Sequence, residues 1–174
     1  MPATLSTETS PPHSALGAPR DAEVLYAELN QMIERLHRRF LDVVRLELDR
    51  LEVGDINAVQ ALLVANLTEE VTMGDLMRRA YYLGSSVSYN VKKLVESGYL
   101  VQERSDRDRR SIRVRLTEKG ETLAEQLRAA QRHQAETLID AEEHAPNLET
   151  TARTLHRLEQ AWSDYVQFGH LGRM

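Results

Sequence analysis

Between Thr72 and Leu116 the spacing of apolar residues changes once, from steps of three and four to steps of two. Steps of three and four line one face of a helix, and steps of two line one face of a strand. The stretch therefore reads helix, short turn, helix, then a two-stranded ribbon with an arginine-rich tip, an order that few small folds accommodate. Its charge is equally restrictive. Ten Lys/Arg (Arg78, Arg79, Lys92, Lys93, Arg104, Arg107, Arg109, Arg110, Arg113, Arg115) stand against five acids (Asp75, Glu96, Glu103, Asp106, Asp108), a net of +5. The whole chain carries −5, so the remainder carries −10. A basic module set in an acidic protein points to a polyanion, most simply duplex DNA.

The flanking sequence is helical. From Asp21 to Leu51, Leu25, Leu29, Met32, Leu36, Phe40 and Val43 recur without an intervening Pro or Gly, which predicts one long helix stopped by Gly54. Asp55 is placed to cap a second helix whose buried side is Ile56, Val59, Leu62, Leu63 and Leu67. Thr72 and Asp75 form a short variant of the capping box and open a third helix, Met73 to about Ala80. Tyr81-Tyr82-Leu83-Gly84 is the turn, and a fourth helix runs from Gly84 or Ser85 to Ser97, ended by Gly98. The strands are Tyr99 to Arg104 and Ser111 to Leu116, with Leu100, Ile112, Val114 and Leu116 expected in the core. Thr117 caps a fifth helix reaching about Glu143, and Pro146 is placed to open a sixth. There, Leu148, Thr151, Leu155, Leu158, Trp162 and Tyr165 follow steps of three and four, an a/d seam.

Composition removes several classes of function. At 41% hydrophobic and 28% charged, 174 residues suffice for a packed core. No apolar run approaches the ~20 residues of a membrane span, and residues 1–19, rich in Pro, Ser and Thr, read as a flexible tail without a secretory signal. With no cysteine, disulfides, thiolate metal sites and thiol switches are excluded. The expected location is cytoplasmic. None of the six histidines forms an i,i+4 pair, so no metal site is expected. A glycine-rich phosphate loop, a nucleophile elbow and a metal-ligand triad are all missing from the sequence, which argues against an enzyme and against a cofactor.

The chemistry concentrates on the fourth helix and the ribbon tip. Val87, Val91, Leu94 and Val95 fall on one side and anchor the helix. Ser85, Ser88, Tyr89, Lys92 and Glu96 lie opposite, with Ser86, Asn90 and Lys93 on the shoulder. Hydroxyls, an amide, a phenol and two lysines are the groups that read base edges and phosphates in a major groove. Candidate DNA contacts on this helix are Ser85, Ser86, Ser88, Tyr89, Asn90, Lys92 and Lys93. On the ribbon they are Arg104, Arg107, Asp108, Arg109 and Arg110; arginines on such an arm suit a narrow, electronegative minor groove, and Asp108 can hold Arg110.

These residues carry a family resemblance. LGSSVSYNVKKLVESGYLVQER at 83–104, Asp108-Arg109-Arg110 and Leu116-Thr117-Glu118-Lys119-Gly120 resemble the MarR family of winged-helix transcription regulators, over about residues 20–168. The chain is also similar to an alphaproteobacterial subgroup linked to cell-envelope control. The resemblance implies a mainly α fold with a small β wing: a winged helix-turn-helix domain plus a helical dimerisation bundle. It makes residues 85–93 the recognition helix and Asp108 with Arg109 or Arg110 the wing motif. The domain plan is a tail at 1–19, an N-terminal dimerisation helix at 20–54, a DNA-binding lobe at 55–116 and C-terminal dimerisation helices at 117–170. It further implies a small aromatic or phenolic ligand beside His37, Phe40 and Val44.

The expected activity is that of a sequence-specific regulator, a repressor, acting as a homodimer on a pseudo-palindromic operator. The sixth-helix seam supports the dimer independently, since one small domain cannot cover it. Its interface is expected at Leu25, Leu29, Leu155, Leu158, Trp162 and Tyr165. Two alternatives remain: a non-specific architectural DNA binder and a wing-mediated protein-interaction module.

Overall fold

The computed structural model describes residues 21–79, 84–104, 112–138 and 141–169. Expectations for the tail, for the turn at 81–83 and for the ribbon tip at 105–111 lie outside the described residues. The fold is mainly α with a small antiparallel sheet. Its order is α1 (Ala22–Arg50), α2 (Ala58–Asn66), β1 (Val71–Thr72), α3 (Met73–Arg79), α4 (Gly84–Glu96), β2 (Leu100–Arg104), β3 (Ile112–Leu116), α5 (Glu118–Leu138) and α6 (Ala141–Phe168).

The chain divides into two units, residues 1–43 and 44–174. The first contributes the greater part of α1, where Val24, Leu25, Tyr26, Met32, Leu36, Phe40 and Val43 are all exposed. The second holds the core. At its centre lies α2, with Ala58, Ala61, Leu62, Leu63, Val64 and Ala65 buried. A helix that is apolar on nearly every side belongs in an interior, and α2 packs against both α4 and α5. Val87, Val91 and Leu94 of α4, Leu100 and Val114 of the sheet, and Leu123, Ala124 and Leu127 of α5 complete the core. Each leucine or valine so buried contributes about 1.5–3 kcal/mol of transfer free energy.

Helix ends follow local chemistry, with two corrections. Thr72 caps α3 by accepting from the Asp75 N–H at 3.0 Å, and its hydroxyl donates to the Asp75 carboxylate at 2.7 Å. Thr117 caps α5 by accepting from the Gly120 N–H at 3.1 Å. Gly98, at φ +76°, closes α4: the Tyr99 N–H donates to Leu94 O at 2.9 Å and the Gly98 N–H to Val95 O at 3.0 Å. The same pair of bonds closes α1, from Val53 N–H to Leu48 O and from Glu52 N–H to Asp49 O. The left-handed residue there is Glu52 (φ +56°), not Gly54, so the chain turns before the glycine is reached. Nor does Asp55 cap α2. Asn57 does, in a reciprocal capping box with Gln60.

The sheet contains a strand that the alternation pattern does not reveal. The two-residue β1 pairs with β3, giving the order β1-β3-β2, with Val71 opposite Val114 and Gln102 opposite Val114 on the other side. Two residues are too short for a period to be read. Leu100 and Val114 are buried as expected and Leu116 is half-buried, whereas Ile112 is exposed. Ile112 pairs with Arg104 at the far end of the ribbon, where the strands run out to the tip. At the C-terminal side, α5 ends at Leu138 rather than near Glu143, and Pro146 lies inside α6 instead of opening it. Helix α2 is tied at its C-terminal end to α5: Arg128 donates to Ala65 O through Nη2 at 2.9 Å and Nε at 3.2 Å, and to Leu67 O at 3.3 Å. A guanidinium placed there satisfies carbonyls that the helix leaves without partners. Among the described residues no helix is long and apolar enough to cross a membrane.

Candidate nucleic-acid interface

Helix α4 has one buried side and one open side. Val87, Val91 and Leu94 are fully buried, which pins the helix to α2 and α3. Ser88, Tyr89, Lys92 and Lys93 are exposed, and Tyr89 retains 60% of its accessible surface. A phenol that open on a helix held by its opposite side has no packing role. The side chains of Ser85 and Ser86 lie outside the described residues.

Asn90 is placed differently from expectation. It is buried, with 8% of its surface accessible, and its Oδ1 accepts from Gln60 Nε2 at 3.3 Å. It therefore does not stand on the open side of the helix. Helical geometry carries the signal that was missed. At about 100° per residue, Asn90 lies nearer the centre of the Val87–Val91–Leu94 face than Val95 does. Val95 is accordingly only half-buried.

Charges on the open side are partly paired. Glu96 meets Lys93 Nζ at 2.7 Å and Lys92 Nζ at 3.9 Å. The hydrogen bond from Lys93 pulls the Glu96 carboxyl below its usual range, and the same bond raises the Lys93 ammonium. On the ribbon, Arg115 donates to Glu103 at 2.8 Å, across strands, and Arg113 pairs with Glu70. These two arginines thus brace the sheet as well as adding positive charge. Arg104 is exposed at the end of β2, next to the ribbon tip. Arg107, Asp108, Arg109 and Arg110 lie outside the described residues.

A clamp beneath the interface sets the direction in which the ribbon leaves α4. The Tyr99 hydroxyl donates to Asp55 Oδ1 at 2.8 Å. Lys119 Nζ donates to Asp55 Oδ2 and to Ser97 O, both at 2.9 Å, and lies 3.9 Å from the centroid of the Tyr99 ring. Three segments are joined here: the approach to α2, the exit from α4 and the start of α5. Burial pushes the Tyr99 phenol up, reinforced by its bond to Asp55. The Thr117 hydroxyl adds a fourth tie by donating to Gly98 O at 2.7 Å.

Residues expected in other roles are distributed unevenly. For the ligand, Val44 is buried while His37 and Phe40 are exposed. For the dimer interface, Leu25, Leu155 and Tyr165 are exposed, Leu29 and Trp162 are half-buried, and Leu158 is buried. Val166 and Phe168, near the end of α6, are 85% and 60% exposed. Among the described residues no group of three or more His, Asp or Glu is arranged to hold a metal ion.

Residues 56–120 match the model of a winged helix DNA-binding domain. The chain is 40% identical over 150 residues to the exopolysaccharide II synthesis transcriptional activator ExpG of Rhizobium meliloti (strain 1021), covering 86% of this chain and 77% of that protein. In fold it is similar to FabT of Streptococcus pneumoniae, solved in complex with DNA (TM-score 0.67, 19% identity, 78% of this chain and 98% of that one). It is also similar to a point mutant of MarR from E. coli complexed with operator DNA (TM-score 0.62, 20% identity, 78% of this chain and 98% of that one).

Proposed function

Starting from the fact that this chain belongs to the MarR family of winged-helix transcription regulators, we propose that it recognises a specific pseudo-palindromic duplex as a homodimer. The chain is a DNA-binding transcription regulator. The observation that carries it is the division of α4 between a fully buried apolar side and an open side bearing Ser88, Tyr89, Lys92 and Lys93. Hydroxyl and phenol groups on that side favour base readout over a purely electrostatic grip, for which lysine and arginine alone suffice.

Dimerisation is supported by the apolar residues left open on α1 and on α6, Leu25 and Met32 on the first and Leu155, Tyr165 and Phe168 on the second. Surfaces of this kind mark interfaces. A two-fold axis would set two recognition helices about one duplex turn apart, ~34 Å, and demand two half-sites. The sense of control depends on where the site lies relative to the promoter. The Rhizobium meliloti relative is named an activator of exopolysaccharide II synthesis, and on that support we adopt activation of exopolysaccharide genes over the repression expected from the sequence. Control by a small aromatic or phenolic effector belongs to the same proposal. Such a molecule changes DNA binding only if it prefers one of the free and bound forms.

The test is binding to the duplex upstream of its own coding sequence against a scrambled duplex, titrated with salt. A preference of ~10³ or more at physiological salt establishes the specific regulator. Equal and steeply salt-dependent binding to both duplexes returns the reading to an architectural binder.

A further inference from the structure

Gln60 and Asn90 are the two buried polar side chains among the described residues, and they are bonded to each other. Thirty residues separate them in sequence. Gln60 is also half of the capping box at the start of α2. Its Oε1 accepts from the Asn57 N–H at 2.9 Å, and its own N–H donates to Asn57 Oδ1 at 3.0 Å. That arrangement fixes the orientation of the Gln60 amide. A backbone N–H can only donate, so Oε1 must face Asn57 and Nε2 must face α4. Asn90 must in turn offer Oδ1. The chain of bonds therefore runs in one direction, from the first turn of α2 into the buried face of the helix that carries Ser88, Tyr89, Lys92 and Lys93.

An apolar contact between α2 and α4 tolerates rotation or sliding by a fraction of a turn, because valine and leucine pack against one another in more than one register. A hydrogen bond inside a dry core does not, since breaking it leaves two unsatisfied polar groups. We propose that the Gln60–Asn90 bond is a positioning device: it sets the rotation of α4 on α2, and thereby which of its outward side chains meet base edges. Gln60 and Asn90 act as positioning residues for sequence discrimination, without touching DNA. The inference rests on the DNA-reading function proposed above.

The test uses the full-length protein and a duplex enriched from a random pool by the unaltered protein, with a scrambled duplex as reference. In Q60L/N90L both partners of the bond become apolar, so neither is left unpaired in the core, while the Asn57 N–H at the start of α2 loses its side-chain acceptor. We expect thermal stability lowered by the loss of that half of the capping box, unchanged affinity and salt dependence on the scrambled duplex, and a specific-to-scrambled ratio lowered by about tenfold or more. Gln60→Glu is the conservative comparison. Its carboxylate still accepts from Asn57 and, after the Asn90 amide turns over, accepts from Nδ2, so the ratio should return towards that of the parent. Should Q60L/N90L fail to fold, Gln60→Met removes the amide at similar length and takes its place beside Gln60→Glu. A folded variant lacking the bond that keeps the parental ratio overturns the proposal. If the unaltered protein enriches no sequence at all, the DNA-reading function itself has failed, a result distinct from the first.

Discussion

Gly120 lies directly against the backbone carbonyl of Tyr99, so closely that a β-carbon built on it would stand inside contact distance of that oxygen. The carbonyl is not free to retreat, because it also accepts from the Thr117 N–H at 3.0 Å. The glycine of the Leu-Thr-x-x-Gly motif is thus required by close approach, at the point where α5 crosses the exit of α4. Glycine to alanine in a helix ordinarily gains up to about 1 kcal/mol. Here the sign reverses. Gly120→Ala is expected to lower stability by about 1–3 kcal/mol, the range for overpacking. Chemical denaturation checks this, and a gain in stability would contradict the contact.

Glu52 occupies a left-handed conformation that costs a residue with a β-carbon about 1–2 kcal/mol. Glu52→Gly should therefore stabilise the protein by about 1 kcal/mol, after allowing for the greater freedom of glycine in the unfolded chain. Gly98 provides the mirror experiment. It has the same left-handed backbone and open space where a β-carbon would go. Gly98→Ala should lose about as much as Glu52→Gly gains. Opposite shifts in the denaturation midpoint are the expected pair of results.

Asp55 couples stability to acid. Burial pushes its carboxyl up, but its hydrogen bonds to Lys119 and Tyr99 outweigh this and leave it below the ordinary aspartate range. A carboxyl lowered on folding contributes stability that is complete above its unfolded value, about pH 4, and is lost as pH falls through the folded value. Unfolding free energy should therefore decline below about pH 4, and Asp55→Asn should flatten part of that decline while lowering stability at neutral pH. Lys119 is raised, chiefly by its bond to Asp55, so its side of the clamp persists until pH rises past the ordinary lysine range. Urea titrations across pH on parent and variant decide the matter: identical acid slopes would remove Asp55 from the account.

On the open side of α4, Glu96 pairs with both lysines of the proposed DNA-reading face. Glu96→Gln is expected to raise affinity for specific and scrambled duplexes alike. Lys92→Ala should weaken both and reduce the salt slope by about one. Lys93 holds the shorter contact with Glu96, 2.7 Å against 3.9 Å. Lys93→Ala should therefore cost less DNA affinity than Lys92→Ala. Fluorescence anisotropy over a salt series measures all three, and a larger loss for Lys93→Ala would reverse the assignment.

Leu155 is 40% exposed on α6 and belongs to the seam that the proposed dimer covers. Leu155→Asp places a charge where a second copy would bury it. Sedimentation should then report a monomer, and binding to a two-half-site duplex should fall towards that of a single half-site. Retention of the dimer would move the interface away from this part of α6.

Much of the architecture was legible because it is local. Thr72, Thr117 and Gly98 perform the capping and closing roles their types suggest, each through bonds to residues a few positions away. On the inward side of α4, Val87, Val91 and Leu94 followed from spacing, whereas Asn90 was placed outward and Val95 is only half-buried. Missed features involve distant or very short partners. Asp55 reads as a helix cap until Lys119, 64 residues on, takes its carboxylate. Strand β1 is too short to show a period and exists only because Val114 lies beside Val71. Ile112 fits the alternation but sits past the edge of the core.

By itself, then, the sequence determined the order of the helices and of the two ribbon strands, the position of most helix ends and the concentration of positive charge on one module. Hydrogen bonds within a turn, the 3.6-residue period and the sign of side-chain charge are properties of neighbours in the chain. Only the tertiary structure decided that Gln60 is the partner of Asn90, that Gly120 must remain bare against Tyr99, and that Asp55 joins Lys119. Each depends on a group brought close by packing of the core, and no pattern within either segment specifies what that group will be.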